Sequence, residues 1–162
     1  MTAWPVVLSF QPTSRGFGWT LFEGPSAPLD WGLAYAKGDR TETCVRQLTN
    51  LLERHRPEYL VLEDLNGRRR QASPYISELR RRAVETAEQL GVEVRRYTRR
   101  DVARAVTGNS DATRHEVAEA IAKHIQAFAY RLPPQRKPWE SVDRRLALFS
   151  AAGLAFALYA EE

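Results

Sequence analysis

The side chains most able to do chemistry in this chain are arginines and a few carboxylates, and they are unevenly spread. Residues 1–59 carry six basic and six acidic groups, and residues 106–162 carry seven of each. Residues 60–105 carry eleven arginines against seven acids, so the whole excess of +4 lies in one stretch. It holds Arg68-Arg69-Arg70, Arg80-Arg81-Arg82, Arg95-Arg96 and Arg99-Arg100. Guanidinium forks grip phosphate through paired hydrogen bonds, so the stretch suits a phosphate-binding surface; GC-rich codons and solvated helix faces account for it equally well. Among the acids, Glu63-Asp64 end an apolar run, and their plain reading is a strand leaving for a loop. Glu140 and Asp143 are three apart and would share one helix face, though acids in a first helical turn are also favoured by the macrodipole. His115, close to Asp111, could shuttle a proton, but a solvent-facing histidine is the plainer account. His124, at helical spacing with Ile121 and Phe128, reads as partly buried and structural.

At 162 residues and 43% apolar, the chain can bury one good core and is short for two, so residues 1–162 are expected to form a single domain. The lone Cys44 excludes an internal disulfide and a cysteine-based zinc site, and suits a reducing compartment. The opening MTAWPVVLSF has no basic segment and no cleavage pattern of an export signal. Leu146 to Ala160 is the longest apolar run, and it falls short of the ~20 residues of a membrane span. The expectation is a soluble, cytoplasmic protein without a membrane partner.

The positioning elements follow from periodicity. Val6–Phe10 reads as a buried strand, Gly16–Phe22 as its antiparallel return, and Trp31–Ala36 as a third strand after the turn at Gly24-Pro25. Thr41 is a plausible cap for a helix to His55 with Val45, Leu48, Leu51 and Leu52 on one face. Tyr59–Leu62 has the look of a central strand covered on both sides. Ser73-Pro74 opens a helix in which Ile76, Leu79, Ala83, Ala87 and Leu90 recur, closed by Gly91. Val92–Tyr97 is a further strand. Thr98 and Asp101 could cap a short helix ending at Gly108, and Thr113 with Glu116 forms a capping box for a helix to about Phe128. After the Pro133-Pro134 and Pro138 loop, Glu140–Ala160 completes the chain as a helix. Strands joined through helices pair in parallel, so this order implies an α/β fold: a five-stranded mixed sheet, three strands in an antiparallel meander and the rest parallel, with helices on both faces.

Three segments carry a family resemblance. Leu8-Ser-Phe-Gln-Pro-Thr-Ser-Arg-Gly-Phe-Gly-Trp19 resembles the opening of RuvC-type Holliday junction resolvases, in which a first strand ends in Asp-Pro-Gly-Ser before a Gly-rich second strand. Leu62-Glu63 resembles the family's second acidic position at the end of the fourth strand. Tyr97–Val117 resembles its run of an aromatic residue, a basic helix, a Val-x-Gly turn and a basic helix start. The likeness touches most of the chain in order and implies an RNase H-like fold.

It also implies chemistry. In that family carboxylates converge to hold two Mg²⁺ ions, one activating water and one stabilising the leaving oxygen. Here the first-strand acid is replaced by Gln11, whose amide lends a carbonyl oxygen and no charge. The metal set implied by the resemblance is Gln11, Glu63 and Asp143, and the catalytic set is Glu63, Glu140 and Asp143. Asp64, on the opposite side of the strand end, is not expected to duplicate Glu63. The last helix admits a second alignment, in which Phe149-Ser-Ala-Ala-Gly-Leu-Ala155 matches the family's helix segment and Ser150 stands in place of an acid. Arg68, Arg69, Arg70, Arg99, Arg100, Arg104 and Arg114 fall where phosphate contact is implied. Arg80–Arg82 read as a solvated helix face or a dimer surface, and Trp19, Trp31 and Trp139 as packing residues. The first expectation is a binder of branched or structured DNA or RNA, acting as a homodimer, with cleavage weak or lost. The rivals are a working Mg²⁺-dependent structure-specific endonuclease and a scaffold that has left nucleic acid behind.

Overall fold

The computed structural model describes residues 3–65, 73–137, 139 and 144–162. Its sheet runs in the order β3-β2-β1-β4-β5, with β1 Val7–Thr13, β2 Gly16–Phe22, β3 Pro28–Tyr35, β4 Tyr59–Glu63 and β5 Glu93–Tyr97. β1, β2 and β3 form the antiparallel meander, and β4 and β5 add in parallel, as the alternation of elements predicts. The helices are α1 Arg40–His55, α2 Pro74–Gln89, α3 Arg99–Thr107, α4 Arg114–His124, α5 Gln126–Ala129 and α6 Leu146–Glu161.

Alternation along the strands sorts the core into two layers. Leu8, Phe10, Leu60 and Leu62 pack with Leu48 and Leu52 of α1 and Leu79, Ala83 and Ala87 of α2. Val7, Phe22, Val61 and Tyr97 face the other way, onto α3, α4 and α6. Helix α6 is apolar on every side, and residues Ala147 to Leu158 are almost wholly buried, as a helix enclosed by sheet and helices must be. Two glycines let it approach so closely. A Cβ at Gly18 would lie 2.7 Å from the backbone carbon of Ala147, and one at Gly153 would lie 2.6 Å from Val102 Cγ1. Among the described residues, no helix is long and apolar enough to cross a membrane.

Several local expectations need correction. The first strand does not stop at Phe10 but runs to Thr13, through Gln11-Pro12, because β2 continues to pair with it to Gly16. Pro12 is tolerated there because the ladder to β4 ends at Ser9. The cap of α1 is Asp39, whose side chain accepts from the amide of Glu42, and not Thr41. The fourth helix stops at His124 rather than Phe128: Ile125 takes an extended conformation (φ −121°) and α5 starts afresh. Arg144 and Arg145 form a turn ahead of α6, so the last helix begins at Leu146 and not at Glu140. The two capping boxes, Thr98 with Asp101 and Thr113 with Glu116, are both present, and Gly108 ends α3 in the left-handed region at φ 81°.

The arginines of α2 are engaged by the protein itself. Arg80 donates to the carbonyl oxygen of Glu63, Arg81 pairs with Glu78 and Glu85, and Arg82 reaches across to Glu42 on α1. Side-chain hydrogen bonds from Arg82 and Arg81 hold the carboxyls of Glu42 and Glu78 below the usual carboxylate range.

Candidate nucleic-acid interface

Glu63 is the last residue of β4 and stands beside Tyr97 of β5 in the ladder. Tyr97 is anchored by a hydrogen bond from its hydroxyl to Glu161 at the end of α6, 2.9 Å long. Burial and that bond together push the Tyr97 phenol up to about 12. The side chain of Glu63 points to the α6 face, lining a small cavity of about 40 Å³ with Arg99, Val102, Ala112, Arg114, Val117, Phe149, Ser150 and Leu154. Its carboxylate makes no ion pair with a described residue. Asp64 lies on the other side of the sheet, lining a separate opening with Leu62, Arg80 and Arg96, which is the division that strand alternation requires.

On β1, Gln11 lies two residues past the last pair of the β1–β4 ladder, Ser9 with Val61, and Glu63 lies two residues past Val61. The two side chains therefore leave the same face of neighbouring strands. Gln11 lines a second cavity of about 200 Å³ with Pro12, Thr13, Ser14, Arg114, Arg144, Leu146, Ala147 and Ser150. Its Oε1 is buried without a hydrogen-bond donor. Arg114 and Ser150 border both cavities, so position 11, position 63 and α6 meet along one groove.

The residue that α6 brings to this groove is Ser150. Between Leu146 and Ala160 the helix contains no acid, and its stripe toward the groove is Leu146, Ser150 and Leu154. Glu140 and Asp143, which the other alignment favours, lie outside the described residues, as do Arg68, Arg69 and Arg70.

The remaining arginines differ in how far their charge is spent. Arg99 opens α3 and lines the Glu63 cavity. Arg100 engages Asp111 and the Ser110 hydroxyl, and Arg104 pairs with Asp101 at 3.5 Å. Both pairs are exposed, so they are weak and can yield to a competing phosphate. Arg114 is the first residue of α4, set by the Thr113 cap. Sequence reasoning missed Arg144, although its place in a basic pair just ahead of the final apolar helix was a usable signal. Its guanidinium lies 5.1 Å from the Tyr35 ring centroid. His115 is half-buried against Glu119 at 3.3 Å rather than facing solvent alone. His124 is exposed, bonded to the Ser26 hydroxyl and set edge-on to Phe156, so its expected partial burial does not hold. Because Thr113 both caps α4 and places Arg114, Thr113→Ala is expected to cost about 1 kcal/mol, read as a lower urea midpoint with unchanged slope.

The family model described as crossover junction endodeoxyribonuclease RuvC matches residues 34–143. The chain belongs to the RuvC family. The match takes in Glu63, Arg99 and Arg114, whereas Gln11 and Ser150 lie on either side of it. Comparison with curated proteins finds no match. Among solved structures, Thermus thermophilus RuvC is similar at a TM-score of 0.71 and 20% identity, over 96% of this chain and 95% of that one. The same organism's RuvC in complex with Holliday junction substrate gives 0.71 and 18%, over 97% and 96%. The yeast mitochondrial Holliday junction resolvase Ydc2 gives 0.61 and 13%, over 98% of this chain and 80% of that one. At such identities the likeness speaks for the RuvC fold, the mixed sheet with helices on both faces.

Magnesium, which membership of the RuvC family implies, can be tested against the donors present. A pair of divalent ions needs several hard oxygens, carboxylates above all. Among the described residues, no three His, Cys, Asp or Glu side chains come together. Glu63 is the one described carboxylate on the groove, and it shares the lining with Arg99, Arg114 and Arg144. The described donors by themselves supply too few hard anionic oxygens for two metal ions.

Proposed function

We propose that this RuvC-family protein binds branched or structured nucleic acid and that its cleavage activity is weak or lost. The observation that carries the reading is the donor set along the groove: one carboxylate, an amide, three hydroxyls and three guanidinium groups among the described residues. Such a lining attracts a phosphate backbone and holds divalent cations poorly. Losing a metal ligand is expected to cost more than the 10- to 100-fold typical of outer-shell changes. DNA is the favoured partner, since T. thermophilus RuvC has been solved with Holliday junction substrate. A homodimer follows from the same reading, because a two-fold junction calls for two binding sites; sedimentation as a monomer with and without junction would remove it.

The test combines binding and cleavage on a four-way junction. Affinity should fall linearly in log–log form as salt rises, and a chain with no salt-dependent binding would be a scaffold instead. Incubation in Mg²⁺ or Mn²⁺ should leave the junction uncut. Glu63→Gln distinguishes the readings by sign. In a binder it removes a partly screened like charge beside the phosphate, so affinity should rise about threefold. Junction cleavage that Glu63→Gln abolishes would make the protein an endonuclease and overturn the proposal.

A further inference from the structure

We infer that the cavity between the end of β1 and the start of α6 is a metal-independent phosphate site, in which Arg114 and Arg144 supply the positive charge that divalent ions supply in a carboxylate-lined centre. The inference rests on the nucleic-acid reading above and specifies the group recognised, a single phosphodiester of the backbone.

The chemistry of the lining carries it. Gln11, Thr13, Ser14 and Ser150 present an amide and three hydroxyls, and Arg114 and Arg144 present two guanidinium groups. Each can donate a hydrogen bond to an anionic oxygen, and no described carboxylate lines this cavity. A cation placed there would face two fixed positive charges.

Charge accounting points the same way. Arg81, Arg82, Arg95, Arg100 and Arg104 are each matched by a carboxylate of the protein. Arg114 and Arg144 have no ion pair with a described carboxylate, and both border the same cavity. Tyr35, about half exposed, orients Arg144 by cation–π contact and does not neutralise it. Gln11 lines the same wall; its Oε1 only accepts, so its hydrogen bond to an anion comes from the amide nitrogen. Glu63 lines the neighbouring cavity and not this one, and Arg114 borders both.

The experiment is fluorescence anisotropy of the full chain with a labelled four-way junction, across a salt series, in EDTA and in Mg²⁺. Arg114→Gln and Arg144→Gln are compared with Arg81→Gln, which removes an ion-paired arginine elsewhere, and melting curves confirm that each variant is folded. Wild-type affinity should agree within about twofold between EDTA and Mg²⁺. Each cavity variant should bind roughly tenfold more weakly and lower the salt slope by about one, while Arg81→Gln stays within about twofold of wild type. If the chain binds junction only with Mg²⁺, or if folded Arg114→Gln and Arg144→Gln bind as wild type does, the phosphate site is wrong and the nucleic-acid reading survives. If wild type binds no junction in either condition, the reading itself fails.

Discussion

Gly18→Val is expected to lower the unfolding free energy by about 3 kcal/mol and the midpoint of thermal unfolding by roughly 10 °C. The strand could accommodate valine by propensity, so the penalty comes from packing. A Cβ at position 18 would meet the carbon, Cβ and carbonyl oxygen of Ala147 at 2.7–2.8 Å. These are mainly backbone atoms of α6, which cannot rotate aside as a flexible side chain would. Either the helix lifts from β2 or the strand bends. Lifting α6 at Ala147 also displaces Ser150, one turn on, from the groove it shares with Gln11. The variant should therefore lose junction affinity together with stability, measured by calorimetry and anisotropy on the same preparation. A midpoint within about 2 °C of wild type would mean that α6 does not lie against β2 at this glycine.

Gln11→Asp is expected to weaken junction binding about tenfold in EDTA and to make it depend on divalent metal. The new carboxylate would stand in the cavity with Arg114 and Arg144, where it pairs with the guanidinium groups and repels the phosphate they would otherwise hold. Among the described residues it would also be a second carboxylate on the groove that carries Glu63. Added Mn²⁺ then has two hard anionic ligands to bridge and should recover part of the lost affinity, with metal binding visible by calorimetry in the variant and weak in wild type. Unchanged junction binding with and without Mn²⁺ would show that position 11 is not part of the interface.

Much of the architecture was legible because it depends on local rules. The Thr98–Asp101 and Thr113–Glu116 boxes and the Gly108 stop are short-range chemistry, and each is found where the pattern indicates. The errors also have local causes. Asp39 competes with Thr41 as a cap two residues earlier, and nothing in the side-chain pattern announces that Ile125 turns extended and splits a helix. The separation of Glu63 from Asp64 follows from strand alternation alone.

Sequence by itself determined the order of elements, the two faces of the sheet, the resemblance carried by positions 11, 63 and 97–117, and the arginine excess, since these follow from residue type and spacing. Only the tertiary structure decided which charges remain available and what meets Gln11 and Glu63. Arginine clusters look alike in a chain, but Arg81, Arg82 and Arg100 find carboxylates and Arg114 and Arg144 border a shared cavity. That Ser150 of α6 borders the groove depends on how the helix settles on Gly18, packing between residues more than a hundred positions apart.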